Sequence, residues 1–259
     1  MTEGSLYVHE LGDPAGPPLI ALHGITGHGA RWRRLVAEHL ADLRVIAPDL
    51  RGHGRSPHVP PWTLERHAQD VLAVLDALDL GRVPVLAHSF GGAVALHLAR
   101  LAPERVAGLV LLDPAIGMDP QVALEQAECW VRPDAYEDRA EARREQAGLW
   151  PTAAEEVVEQ ELDDNLVLGE DGRWRWRFCS ASITTAWSEI ARPHVVPPAG
   201  TRTLLVPAEG TDFVRPGFVA DCRDALGDAL AVEPLDCGHM IYLERPAEVA
   251  KLVRDFVGG

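Results

Sequence analysis

Cysteine is scarce in this chain. Its 259 residues hold four, Cys129, Cys179, Cys222 and Cys237, and no two form a Cys-x-x-Cys pair. That excludes a zinc ribbon and a disulfide framework, and it suits free thiols in a reducing cytoplasm. Positive charge is also short. Lys and Arg total 24 against 39 Asp and Glu, for a formal net charge of -15. Such a surface argues against nucleic acid and anionic membranes as partners. The opening "MTEGSLYVHELGDP" lacks the basic start and apolar stretch of a secretion signal. No apolar run approaches the ~18 residues of a membrane span. There is no His-Glu-x-x-His and no clustered set of metal ligands, so no metal site is expected. The absences together describe an acidic cytoplasmic protein, monomeric or homodimeric, with a small-molecule partner.

What is present is apolar and periodic. Hydrophobic residues make up 47% of the chain, enough for a large core. "PPLIAL" (Pro17–Leu22), "LRVIAPD" (Leu43–Asp49), "VPVLAH" (Val83–His88), "VAGLVLLD" (Val106–Asp113), "TRTLLVPA" (Thr201–Ala208) and "LAVEPL" (Leu230–Leu235) read as buried strands. Helical patterns lie between them. In "LERHAQDVLAVLDAL", Leu64, Ala68, Val71, Leu72, Leu75 and Leu78 form one stripe. "RWRRLVAEHLA", "GGAVALHLARLA" and "PAEVAKLVRDFV" behave alike, the last with Pro246 suited to its first turn. This alternation predicts an α/β fold with a doubly wound, mostly parallel sheet. Residues 115–200 break it. They hold no convincing buried strand, five of the seven tryptophans, and 17 acidic against 8 basic side chains. They read as a helical insertion over the carboxyl edge of the sheet, where open α/β sheets bind ligands. Residues 1–114 and 201–259 then form the core.

Three stretches carry chemistry. In "VLAHSFGGAVALHLARL", Ser89 stands where a strand turns into a helix. A one-residue turn of this kind forces an unfavourable backbone and lifts the hydroxyl out of the sheet. The Gly-x-Ser-x-Gly signature has Ala87 in its first position, and the plain alternative is a helix-capping serine. "LHGITGHG" follows an early strand and supplies backbone N–H groups. With Ile25 and Phe90 as donors, two N–H groups could hold an oxyanion. His23 in the same loop reads chiefly as a turn histidine bonded to backbone. "CGHMIYLERP" places His239 on a Gly-His turn after the last strand, where a general base could reach the serine. The acid stays open between Asp212, in "PAEGTDFVRP", and Asp113, at the end of "VAGLVLLD". Chain order favours Asp212. Trp130, Trp150 and Trp187, with Met240, His23 and Gly24, are candidates for a substrate pocket, although tryptophans in the insertion can equally pack its helices.

With "HGITGHGARW", "DLRGHGRS", "AHSFGGAVALHLA", "LVLLDP" and "GHMIYLERP" in this order, the chain resembles the α/β-hydrolase superfamily over nearly its whole length. The resemblance implies a Ser89 nucleophile, a His239 base, an acid after one of two strands, and a helical cap from about Ala115 to Gly200. It implies that "DLRGHGRS" is a structural turn. Asp113 stays in play because some relatives take their acid from that position, and because "AEGTD" is one residue longer than the usual loop. The expected activity is hydrolysis of carboxylic esters of small to medium apolar substrates, without cofactor. C–C bond hydrolase, lactonase, thioesterase and cofactor-free perhydrolase share the same residues. A hydrolase-fold ligand receptor is a further alternative. A dinucleotide-binding reading of "GITGHG" lacks the Gly-x-Gly-x-x-Gly spacing and leaves Ser89 and His239 unused.

Overall fold

The computed structural model describes residues 4–131 and 135–258. Residues 1–3, 132–134 and 259 fall within the segments assigned above and lie outside the described residues.

The first strand, β1 (Val8–Gly12), was not among the six expected. It pairs antiparallel with β3 at the sheet edge and is only half-buried, so it shows no continuous apolar run. The chain continues through β2 (Pro18–Leu22), α1 (Arg33–His39), β3 (Arg44–Pro48), α2 (Leu64–Ala77), β4 (Val83–His88), α3 (Phe90–Leu101) and β5 (Val106–Leu112). There follow α4 (Pro120–Cys129), α5 (Arg139–Leu149), α6 (Glu155–Asn165), β6 (Leu166–Leu168), β7 (Trp174–Trp176) and α7 (Ser180–Ile190). The chain then rejoins the core with β8 (Thr203–Val206), α8 (Pro216–Leu226), β9 (Leu230–Val232), α9 (Ile241–Glu244) and α10 (Pro246–Gly258). The main sheet has seven strands in the order β1-β3-β2-β4-β5-β8-β9, all parallel except β1.

Strand alternation divides the core in two. Ile20, Leu22, Ile46, Val85, Ala87, Leu109, Leu111 and Leu205 point to the side covered by α2 and α3. Their neighbours Leu19, Ala21, Val45, Leu86, Val110, Leu112, Leu204 and Val206 point to the side covered by α1 and α10, where Trp32, Leu35, Val253 and Phe256 meet them. Burial on both faces explains why these strands read as unbroken apolar runs. The parallel strands all end along one edge, and the loops that leave it carry every candidate site residue that lies in the core.

Between β5 and β8, buried residues of α4 and α7 join the same core as α2 and α3. Helix α4 packs on α7, and α5 on α6. The described part of the insertion contains one short hairpin, β6–β7, which does not join the main sheet. Tyr136, Ala142, Val158, Leu162 and Leu166 form a small separate core, with Trp174 and Trp176 packed against it. Those two tryptophans lie two apart on one strand, so they share a face. The insertion is tied to the loop after β3. Gly54 N–H donates to Arg177 O (2.5 Å), Cys179 N–H to Gly52 O (2.8 Å) and Ser182 Oγ to Gly52 O (3.1 Å). No helix among the described residues is long and apolar enough to cross a membrane.

Candidate active site

Ser89 is the only residue between β4 and α3. Its backbone has φ 54° and ψ -122°, a region that non-glycine residues rarely occupy. Hydrogen bonds on both sides impose it. Ser89 N–H donates to Leu112 O (3.1 Å), and Ser89 O accepts from Gly92 N–H (2.8 Å) and Ala115 N–H (3.1 Å). The side chain makes no cap to the helix, so Ser89 is not the capping serine of the plain alternative. Helix α3 comes very near β2: a Cβ on Gly91 would lie 2.6 Å from Leu22 O and 2.7 Å from His23 O. Glycine is therefore required on the helix side of the turn. On the strand side Ala87 is fully buried, between Leu22 and Leu111 in register, and its methyl is simply part of the core.

Three side chains form a continuous hydrogen-bonded chain. Ser89 Oγ lies 3.0 Å from His239 Nε2, and His239 Nδ1 lies 2.7 Å from Asp113 Oδ2. A carboxylate only accepts, so Nδ1 carries the proton and Nε2 is left to accept from the serine hydroxyl. Asp113 is completely buried, at a positive φ of 39°. It also accepts from Ala208 N–H (3.2 Å) and Thr211 Oγ (2.9 Å).

The preference for Asp212 is thus corrected: Asp113, and not Asp212, meets His239. Asp212 is exposed. The longer "AEGTDF" loop instead brings Thr211 to Asp113 and lays the Phe213 ring on His239, stacked at 4.0 Å and 14°. Thr211, Phe213 and His88 were missed in the sequence. The loop length was the one signal that pointed to Thr211 and Phe213, and no signal singled out His88.

His88 is buried behind His239. Its Nε2–H donates to His239 O (2.8 Å), and its ring packs on those of His239 (4.7 Å) and Tyr242 (5.1 Å). Its Nδ1 is buried without a partner among the described residues. Burial, and then the neighbouring His239, hold its pKa well below the usual histidine value, so it stays neutral.

The loop after β2 presses on the serine from the other side. A Cβ on Gly24 would lie 2.9 Å from Ser89 Cβ. Residues 24–27 close a turn through Gly27 N–H to Gly24 O (3.0 Å). Gly24 O also accepts from His23 Nδ1–H (2.8 Å), while His23 Nε2 accepts from Leu50 N–H (2.9 Å). Gly24 O and the Ile25 N–H belong to one trans peptide plane, so fixing the carbonyl aims the N–H the opposite way. His23 therefore does not line a substrate pocket; it is fully buried and orients backbone. Burial, together with the neighbouring His53, keeps it neutral by holding its pKa well below the usual value. The Phe90 N–H opens α3 and has no carbonyl of its own helix to meet.

Beside His239 lies a cavity of about 340 Å³, lined by Leu149, Trp150, Pro151, Met240 and Leu243 among others. Trp150 and Met240 thus stand where a substrate pocket was expected. Trp130 and Trp187 do not. Trp130 packs edge-on against Phe178 (5.5 Å), and Trp187 is buried in the main core. The "DLRGHGRS" loop is a structural turn. Asp49 accepts from Gly29 N–H (2.7 Å), Arg55 N–H (2.8 Å) and His9 Nε2 (3.1 Å).

Comparison with known proteins shows what the chain is similar to. A family model described as the alpha/beta hydrolase fold matches residues 17–246. The chain is 42% identical over 257 residues to lipase LipV of Mycobacterium tuberculosis, covering 98% of each. It is 40% identical over 273 residues to 2-hydroxymuconate semialdehyde hydrolase of Pseudomonas sp. strain CF600, covering 96% of this chain and 89% of the relative. The crystal structure of E-2-(acetamidomethylene)succinate hydrolase superposes with a TM-score of 0.82 at 24% identity, over 98% of this chain and 95% of that one.

Proposed function

As a member of the alpha/beta hydrolase family, to which this chain belongs, the protein is a hydrolase, and we propose that it cleaves carboxylic esters through an acyl-enzyme on Ser89. The observation that carries the reading is the unbroken hydrogen-bonded chain Ser89–His239–Asp113. His239 Nε2 takes the hydroxyl proton as Ser89 Oγ attacks the carbonyl. The Ile25 and Phe90 N–H groups receive the oxyanion, and the dipole of α3 adds to their field. His239 then returns the proton to the leaving alcohol, and the same base activates water to release the acid. Asp113 holds the Nδ1–H tautomer and stabilises the imidazolium. Residues 115–200 act as the cap, and Trp150, Met240 and Leu243 suit a small to medium apolar acyl or alcohol group.

The test is hydrolysis of p-nitrophenyl esters of increasing chain length by the wild type, Ser89→Ala, Asp113→Asn and Asp212→Asn. Ser89→Ala should be inactive, and Asp113→Asn should lose about 10⁴-fold in kcat. Asp212→Asn should stay within about twofold of wild type. Full turnover by Ser89→Ala would refute the mechanism. A large loss confined to Asp212→Asn would restore the acid to the loop after β8. The likeness to 2-hydroxymuconate semialdehyde hydrolase favours C–C bond cleavage as a second reading on the same residues. Higher kcat/KM on that semialdehyde than on any ester would select it.

A further inference from the structure

A buried ionic cluster joins the insertion to the turn that carries the Ile25 N–H. Glu161 of α6 receives Arg31 in a two-pronged pair, Nε to Oε2 (2.9 Å) and Nη2 to Oε1 (2.7 Å). His28 Nε2 lies 3.1 Å from the same carboxylate. The Arg31, Glu161 and His28 side chains are each less than one-tenth exposed. Arg31 Nη2 also donates to Thr26 O (3.1 Å). Asn165, one helical turn after Glu161, donates from Nδ2 to both Glu161 Oε1 (3.2 Å) and Thr26 O (3.3 Å). So two donors converge on one carbonyl, both organised by Glu161.

The carbonyl they hold is in a costly place. Thr26 has a φ of 62°, a left-handed conformation that a β-branched residue strongly disfavours. Such a conformation persists only where its surroundings over-determine it. Within the core, His23 fixes the Gly24 end of the turn. Among the described residues of the core, Arg31 alone is seen to hydrogen-bond the Thr26 carbonyl, and Arg31 is aimed by Glu161. The Arg31 guanidinium also lies 5.0 Å from the Trp150 ring centre, and Trp150 lines the cavity beside His239. A buried ion pair is a poor source of stability, because desolvation consumes most of its attraction, but it fixes geometry well.

We propose that Glu161 is a positioning residue that acts through Arg31 and Asn165 to hold the 24–27 turn in the form that presents the Ile25 N–H, so that the insertion completes the oxyanion site. The inference rests on the serine-hydrolase reading above. It makes the insertion a fixed part of the transition-state machinery at this point, and not only a roof over the substrate.

The experiment uses the full-length wild type, Glu161→Gln, Asn165→Ala and Ser89→Ala, with a p-nitrophenyl ester as substrate, below each variant's Tm. A trifluoromethyl ketone, which forms an oxyanion on the serine, is compared with the matching methyl ketone, which does so poorly. Glu161→Gln should lose about 10- to 100-fold in kcat, with KM within about threefold of wild type. Its trifluoromethyl ketone affinity should fall in parallel, while methyl ketone affinity holds. Asn165→Ala should show the same pattern with a smaller loss, about 3- to 10-fold in kcat. A folded Glu161→Gln with kcat within twofold of wild type overturns the proposal. So does a kcat loss with unchanged trifluoromethyl ketone affinity. If Glu161→Gln fails to fold, an unchanged kcat in Asn165→Ala overturns it. Ester turnover by Ser89→Ala at the wild-type rate would instead sink the serine-hydrolase reading itself.

Discussion

At the scale of single residues, the Ser89 backbone conformation costs of order 1–3 kcal/mol, and its neighbours determine whether the fold can sustain it. Gly91 is indispensable because backbone of β2 occupies the space a side chain would need. Ala87 is different: it faces the core, with room for its methyl. Ala87→Gly should therefore destabilise by roughly 1 kcal/mol, through added chain entropy and a lost buried methyl. Calorimetry should find Tm about 2–4 °C lower, with kcat unchanged within about twofold. A higher Tm would mean that the methyl strains the turn. His239 is likewise held by more than its hydrogen bonds to Ser89 and Asp113. His88 grips its carbonyl and Phe213 covers its ring, so its position does not depend on the aspartate alone.

At the scale of elements, the loop after β3 is organised by one carboxylate. Asp49 draws in Gly29, Arg55 and His9, and Gly54 leaves room for it: a Cβ there would lie 2.1 Å from Oδ2. Burial pushes the Asp49 pKa up, but the His9 and backbone N–H bonds outweigh it and bring it down to about 2. A depressed carboxylate contributes stability that is present above its unfolded value near 3.8 and lost as pH falls through about 2. Asp49→Asn should cost about 2–3 kcal/mol at pH 7, and urea titrations should show that deficit shrinking between pH 4 and pH 2. A deficit independent of pH would mean that shape, not charge, matters there. The sheet was legible because strands buried on both faces give unbroken apolar runs, and the helices because their stripes are regular. Strand β1 was not, since an edge strand half in water has a mixed pattern. Ser89 and His239, which the fold brings within hydrogen-bond distance, were legible from their places at strand ends. The partner of His239 was not. Asp113 and Asp212 both follow strands, and only the folded path of "AEGTDF" shows that it delivers Thr211 and Phe213 in place of a carboxylate. The clamp at Glu161 joins residues about 130 apart, and no local pattern marks it.

At the scale of the whole molecule, several histidines are buried and neutral. Burial holds the His53 pKa at about 4 and the His67 pKa at about 3, and keeps those of His23 and His88 well below 6.5. The unfolded chain binds protons at these groups that the folded chain refuses, so stability is full above about pH 6.5 and falls as pH drops towards each folded value. Each contributes a slope of about 1.4 kcal/mol per pH unit in that window. Tm should therefore decline steeply between pH 6.5 and 4.5, and a flat profile would contradict the burial of these rings. The place where the insertion joins the core has a different consequence. Asp113 directly follows β5, and only two residues later the Ala115 N–H holds the Ser89 carbonyl. The insertion thus hangs from the same peptide stretch that carries the partner of His239. Anyone exchanging it for another protein's insertion, to alter which substrates fit, must cut beyond Ala115. A chimera joined one residue earlier would put the foreign chain in charge of the backbone N–H at position 115 that bonds the Ser89 carbonyl, and so of the nucleophile turn.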